Sequence, residues 1–591
     1  MNPDAWHTAF PIDALPPGSS RVFRHGRLQV AVFRLPDGTL RAVDNRCPHE
    51  GYPLAQGDVK VDQSDAKRCL LTCAWHNYKF DLTTGAAAIG EEAVRVFPVR
   101  VLDGQVQLDL TVPDPAAERA RLRRSIEGGL LEWQMGRVAR DVVRFLAVGG
   151  TPEAVALLGA AHDGARARWG TTHALPVLAD ALRLVDDLDG SRRALPLVQA
   201  LDMAAVSNVR LPRRVRPAPL PGGGDAIEDA RLVRALVEAE DGAAAEARFA
   251  GGRAQWGREW ALRVLAGICA DHLLSFGHGL IYVVKAAELL EACDRAGVDH
   301  ADDEADVLCG LLHGLVCGTR EDVLPAWRST MALIDGRDLA VEHSVIESQS
   351  APANRALIVE NLAIALVEHS GANPAAAVLA ALDDNASLDD VVMAMELASS
   401  RWLLWFDPAI DRDLGVQDGW LSVTHTLTRA HAARLAVDRG LLQGADLRRM
   451  LLLTARFVAH VRPLMLPEDR RHVPRPIAGT LDELNTAIDG HEAAQATDIA
   501  LHLLHTCPGE LERSLRARSW SDGATLPITV AHILKLTVAA FDVWRATDLA
   551  EPVLGLVRFL ALLGRERRMT QRTLEAIALV DDGKVPKTLG N

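Results

Sequence analysis

The hydrophobic pattern of the chain changes its period once. From residue 21 to about residue 110, apolar and polar positions alternate in short runs (RLQVAVFRL, TLRAVDN, VRVFPVRVLDG, QVQLDL) broken by PDG, LTTG and DG. A period of two places one face of an extended strand against a core and the other in water, and Gly- and Asp-bearing breaks are turn formers. A small all-β domain over residues 1–112 is predicted. Beyond Pro113 the apolar residues recur at intervals of three and four, as in AAERARLRRSIEGGLLEWQMGRVARDVVRFLAVGG, and this spacing persists towards the C-terminus. Such spacing lines one face of a helix, so residues 113–591 are predicted to form a large all-α domain. No fixed repeat period is visible, which favours an irregular helical bundle over a regular solenoid. The Pro-, Gly- and Arg-rich stretches 211–224 and 462–479 read as long surface loops within that one domain, because the helical spacing resumes unchanged on both sides.

Length and charge narrow this picture without altering it. At 591 residues the chain exceeds the size of a single core, in keeping with a multidomain protein. With 78 acidic against 64 basic residues and a net charge of -14, nucleic acid and anionic membrane are disfavoured as partners. The N-terminal MNPDAWHTAFPIDALPPG lacks a basic segment followed by an apolar one, and no run of about 18 uncharged apolar residues stands out. A cytoplasmic location is expected, with locally apolar segments such as 451–458 forming buried helices.

The eight cysteines do not read as a disulfide framework in a long chain of this kind. Cys269, Cys293, Cys309, Cys317 and Cys507 lie in Ala/Leu-rich helical sequence and read as structural thiols with no assigned function. Cys47, Cys69 and Cys73 differ, because they stand near histidines. Cys47-Pro-His49 is followed, after 23 residues, by Cys73-Ala-Trp-His76. Each half supplies one thiolate and one imidazole from a tight turn. Two of each suit a [2Fe-2S] cluster in which the cysteines hold one iron and the histidines the other, and they also suit tetrahedral zinc.

The flanking segments NRCPHEGYPLAQGDV and LTCAWHNYKFDLTTG resemble bacterial Rieske ferredoxins and the N-terminal domains of Rieske oxygenases. The resemblance covers about residues 20–110 and implies a [2Fe-2S] cluster on Cys47, His49, Cys73 and His76, with a role in electron transfer. Two features depart from the family's pattern. The gap between the halves is longer than usual, with the excess in VKVDQSDAKR, and Cys69 stands just before the second half as a bystander thiol. Neither turn carries the additional cysteine of respiratory Rieske proteins, which implies a lower-potential, ferredoxin-like centre.

An electron carrier needs only about 100 residues, so the long helical part is expected to hold an acceptor. No GxGxxG lies between a strand and a helix and no GxxxxGK[ST] occurs, which leaves no support for flavin, nicotinamide or nucleotide and leaves a metal. A histidine pair four apart with an upstream Asp is not visible either; in its place stand HxxxxxH spacings, at His272/His278 and His425/His431. Sixteen histidines follow the β part, and His173, His278, His425 and His532 sit in apolar helical sequence, where an unpaired imidazole is costly to bury. Singly, each reads as a satisfied core histidine; together, four on separate helices suit one metal. Lys535 shares a helical face with His532 at i, i+3.

The strings FGHGLIY, THTLTRAHAARL and AHILKL resemble the questin oxidase-like proteins, helical oxygenases of polycyclic aromatic polyketides. That resemblance implies a mononuclear non-haem Fe(II) held by His173, His278, His425 and His532 with a carboxylated Lys535 as a hard oxygen ligand. His272, His431 and the pair His502/His505 are alternates. The chain is then expected to be an oxidoreductase, a mono- or dioxygenase whose cluster reduces the iron. O2 would oxidise an aromatic or polyketide-like small molecule, and a separate reductase or ferredoxin would supply electrons. The other reading is a Rieske ferredoxin-like carrier or redox sensor with a helical docking scaffold and no second metal.

Overall fold

The structure, a computed structural model, describes residues 6–563 apart from 27, 50, 62–68, 90–91, 300, 338, 340–351, 369–372, 411–418, 522–523 and 525. The chain divides into two compact units, Met1–Gly150 and Thr151–Asn591.

The first unit contains nine strands among its described residues: β1 (Trp6–Pro11), β2 (Ser19–His25), β3 (Leu28–Arg34), β4 (Leu40–Asp44), β5 (Asp58–Val61), β6 (Cys69–Thr72), β7 (Lys79–Asp81), β8 (Val99–Leu102) and β9 (Gln105–Asp109). They form three small antiparallel sheets in the orders β1-β9-β8, β2-β3-β4 and β5-β6-β7. The central strand β3 departs from strict alternation, since Val30, Ala31, Val32 and Phe33 are all buried. Its two faces serve two cores: Val30 and Val32 pack with Phe97, Val106 and Leu108, while Ala31 and Phe33 pack with Leu71, Phe80 and three cysteines. A strand covered on both faces reads as a continuous apolar run.

The change from strand to helix falls between Asp109 and Pro115. Asp114 caps the first helix by accepting hydrogen bonds from the amides of Ala116 and Ala117, with Pro115 at the first helical position, where its missing N–H costs nothing. The compact unit nevertheless runs past residue 112 to Gly150, because the helices Pro115–Leu131 and Met135–Ala147 belong with the strands. Arg140 of the second helix pairs with the buried Glu92 at 2.7 Å. Helical spacing identifies these segments as helices but says nothing of what they pack against.

The second unit is helical. The stretch 211–224 is irregular and largely exposed, fastened by Arg214 to Glu246 at 2.9 Å; 462–479 contains two short 3-10 turns, Arg462–Leu464 and Glu468–Arg470. Cys269, Cys293 and Cys309 are buried, whereas Cys317 is exposed and Cys507 is intermediate. These last two stand at helix ends, where the apolar face of a helix no longer shields them. Among the described residues one helix, Pro527–Thr547, is long and apolar enough to cross a membrane by length and composition. It carries His532 and Lys535, both buried in the core of the unit.

Candidate functional site

Two groups of metal-ligating side chains stand out, one in each unit. In the first, two turns repeat the same backbone pattern. The Cys47 amide donates to the Tyr52 carbonyl at 2.9 Å and the Cys73 amide to the Tyr78 carbonyl at 2.7 Å. Gly51 and Asn77 return bonds to the carbonyls of Cys47 and Cys73 at 2.7 and 3.1 Å. Both stand four residues after their cysteine with positive φ, +78° for Gly51 and +59° for Asn77, a conformation that glycine and asparagine tolerate best.

Each turn thereby sends a thiol inward and an imidazole outward. Cys47 and Cys73 are 2 % and 1 % exposed, His49 is half-buried and His76 is exposed. The two imidazole centroids are 4.8 Å apart, His49 is stacked on Tyr78 at 4.4 Å, and Tyr52 on Trp75 at 4.3 Å. Two buried thiols and two facing imidazoles fit a cluster with an inner, cysteine-held iron and an outer, histidine-held iron. Cys69 lies on β6 with its side chain in the core, and burial raises its thiol pKa, so it is a protonated neighbour. Residues 62–68, the bulk of the VKVDQSDAKR insertion, lie outside the described residues.

The second group gathers histidines from four places in the helical unit. His173 stands not within a helix but at the cap of Ala174–Val185; His278 opens His278–Arg295; His425 lies in Gly419–Asp438 and His532 in Pro527–Thr547. The Nε2 atoms of His173 and His278 are 2.9 Å apart. The ring centroids are separated by 4.3 Å for His278–His425, 4.5 Å for His425–His532 and 5.3 Å for His173–His532. Ligand atoms of His173, His278 and His425 all lie within 4.8 Å of one another, a set that could hold a metal ion.

Hydrogen bonding fixes two tautomers. Thr424 Oγ1 donates its single hydrogen to the Leu421 carbonyl at 2.8 Å, so towards His532 Nδ1, also at 2.8 Å, it must accept. The His532 hydrogen is on Nδ1 and its Nε2 is a bare lone pair. His278 Nδ1 likewise donates to the Ser275 carbonyl, which frees its Nε2. Burial, with help from Lys535 and the neighbouring imidazoles, holds His173, His425 and His532 well below the usual imidazole pKa, and burial brings His278 to about 3. All four are neutral, the state in which imidazole ligates metal.

Lys535, 2 % exposed, has no hydrogen-bond partner for its Nζ, and the same holds for Nε2 of His425 and of His532. Burial lowers the Lys535 pKa to about 7, against the pull of Asp180. A cavity of about 10 Å³ beside it is lined by Asp180, Ile281, Lys285, Thr428 and His431, about enough for one water. Lys285, in turn, is paired with Asp180 at 2.6 Å and Glu288 at 2.7 Å.

The alternates take other places. His272 is held between Asp322 at 2.8 Å and Glu238 at 2.7 Å. His431 lines the cavity and lies 3.6 Å from Asp542. His502 is half-buried and His505 exposed on Ala493–Thr506. Sequence reasoning overlooked Thr424, Tyr282, whose hydroxyl is 3.4 Å from His173 Nδ1, and the Asp180–Lys285 pair. Thr424 adjoins His425 and Tyr282 stands one helical turn after His278, which are visible signals; the Asp180–Lys285 pair spans 105 positions and leaves none.

Comparisons with known proteins concern the first unit. A family model for the Rieske [2Fe-2S] domain matches residues 5–99. The ferredoxin subunit of anthranilate 1,2-dioxygenase from Burkholderia cepacia is 32% identical over 107 residues, covering 18% of this chain and 92% of that subunit. The 4β-methylsterol monooxygenase of Methylococcus capsulatus is 29% identical over 119 residues, 18% of this chain, and the chain spans only 30% of that relative's length. Among solved structures, a small subunit of NADH-dependent nitrite reductase from Mycobacterium tuberculosis is 31% identical, with 18% of this chain and 96% of that one covered and a TM-score of 0.17. With both ligand turns formed and nine-tenths of a ferredoxin subunit matched at 32% identity, the chain belongs, through its first hundred residues, to the Rieske [2Fe-2S] domain family.

Proposed function

We propose that the chain is a Rieske-dependent oxygenase in which His173, His278, His425 and His532, together with a carboxylated Lys535, hold a mononuclear non-haem iron. The observation that carries the reading is the convergence of four neutral imidazoles from four segments, three of them buried and that of His173 half-buried, beside a buried lysine amine with no partner. Leaving such groups unsatisfied is expensive, and a shared cation satisfies them together. Bound there, the iron would supply a site for dioxygen, and a [2Fe-2S] cluster held by Cys47, His49, Cys73 and His76 would supply its electrons.

The chain's own residues prepare that site. Ser275 and Thr424 point imidazole lone pairs inward by taking the opposite ring hydrogens, as the outer partners of metal-bound histidines do. Burial keeps an unprotonated fraction of Lys535 at neutral pH, and only a free amine combines with CO2 to give the carbamate oxygen ligand. The substrate is an aromatic or polyketide-like small molecule, and a separate reductase or ferredoxin is the electron source, in keeping with the ferredoxin subunit and monooxygenase among its relatives.

Metal analysis of anaerobically purified protein tests the proposal. About three irons per chain are expected, falling to about one in Cys73→Ala, since the cluster takes two. About two irons, all lost from that variant, overturn it and leave an electron carrier with a helical docking scaffold.

A further inference from the structure

We infer that Arg144, on the helix Met135–Ala147, is a positioning residue for the Rieske cluster: it clamps the turn between Cys47 and His49 and favours the reduced state by its charge. Its Nη2 donates to the Pro48 carbonyl at 2.9 Å, on the one residue that separates the two ligands. Pro48 is buried, and a buried carbonyl requires a donor. Arg144 stands beyond residues 5–99, which the family model matches, so the clamp comes from outside the matched segment.

The helix is built to hold that side chain in place. Asp141, 1 % exposed, accepts from Arg144 Nη1 at 2.8 Å and from Ser125 Oγ at 2.7 Å. Ser125 belongs to Pro115–Leu131 and also accepts from Arg137 Nη2 at 2.9 Å. Arg140, four positions before Arg144 on the same face, is tied to Glu92 at 2.7 Å. Three guanidinium groups on this helix thus face two buried carboxylates, a local excess of one positive charge. The [2Fe-2S] cluster gains one negative charge when it takes an electron. A fixed cation near its ligand turn therefore lowers the energy of the reduced form relative to the oxidised form.

Redox titration of the full-length protein, followed by the electron paramagnetic resonance of the reduced cluster, tests this. At the potential where the native cluster is half reduced, Arg144→Gln is expected to lower the reduced-to-oxidised ratio about tenfold, equivalent to about 59 mV for one electron. Arg144→Lys, which keeps the charge, is expected to stay within about threefold. A purely structural role would alter stability or iron content and leave the potential alone, so a change of less than about threefold in Arg144→Gln overturns the inference. Should Arg144→Gln fail to retain its cluster, Asp141→Asn decides: removal of the offsetting carboxylate is expected to raise the ratio, and an unchanged or lower ratio overturns the inference.

Discussion

The Nε2 atoms of His173 and His278 lie 2.9 Å apart although 105 positions separate the residues in sequence. The hydrogen of His278 is committed to the Ser275 carbonyl, so two lone pairs face one another unless His173 carries its hydrogen on Nε2 or a cation stands between them. Replacing His278 by alanine removes one side of this pair. The His278→Ala protein is expected to lose about one iron per chain and to keep the about two irons of the cluster, a difference that elemental analysis reads directly.

Lys535 is the other energetic weak point of this site. A buried amine without a partner destabilises the metal-free fold by about 1–3 kcal/mol. Lys535→Met keeps the volume and removes the polar atom. It is expected to bind less iron while raising the melting temperature of the metal-free protein, a pair of opposite changes typical of a functional residue. Calorimetry of chelator-treated native and variant protein provides the comparison.

His272 provides a pH-dependent contribution. Burial opposes its protonation, but hydrogen bonds to Asp322 and Glu238 outweigh burial and raise its pKa above the ordinary 6.5. A raised folded-state pKa means stability that is fully present below 6.5 and lost as pH climbs through the folded value. Native protein is therefore expected to lose stability relative to His272→Gln between a first pH below 6.5 and a second above the raised folded value. Parallel denaturant titrations at the two pH values would show the gap narrowing.

Close backbone packing holds the segment that presents His173. A Cβ on Gly310 would meet the Cα of Gly164 at 2.5 Å, and one on Gly164 would meet the Asp306 carbonyl oxygen at 2.5 Å. Next to Gly164, the buried Asp163 accepts bonds from the Thr172 amide and hydroxyl, both at 2.8 Å, immediately before His173. Gly310→Ala is expected to cost about 1–3 kcal/mol through overpacking and to reduce iron content as His173 shifts. Denaturant unfolding and metal analysis of one preparation measure both.

The local features were legible without the fold. Alternation in RLQVAVFRL predicted strands, and the spacing after Pro113 predicted helices, because each period reflects one chain segment's exposure to core and water. The turns Cys47-Pro-His49 and Cys73-Ala-Trp-His76 were equally plain, since ligands two or three residues apart are brought together by the turn itself. The extension of the first unit to Gly150 was not legible. An amphipathic helix shows that it has an apolar face, not whose core that face completes.

For the helical unit, the sequence by itself determined which residues are chemically unusual: His173, His278, His425, His532 and Lys535 stand in apolar surroundings where such groups are seldom left alone. Only the tertiary structure decided that the four imidazoles approach one another, that Thr424 and Ser275 set their tautomers, and that Arg144 reaches back to Pro48. Contacts across 105 positions, or 96 in the case of Arg144 and Pro48, depend on how helices cross and where loops return them. No local pattern encodes that, since many packings satisfy the same apolar stripe and only the complete set of neighbours selects one.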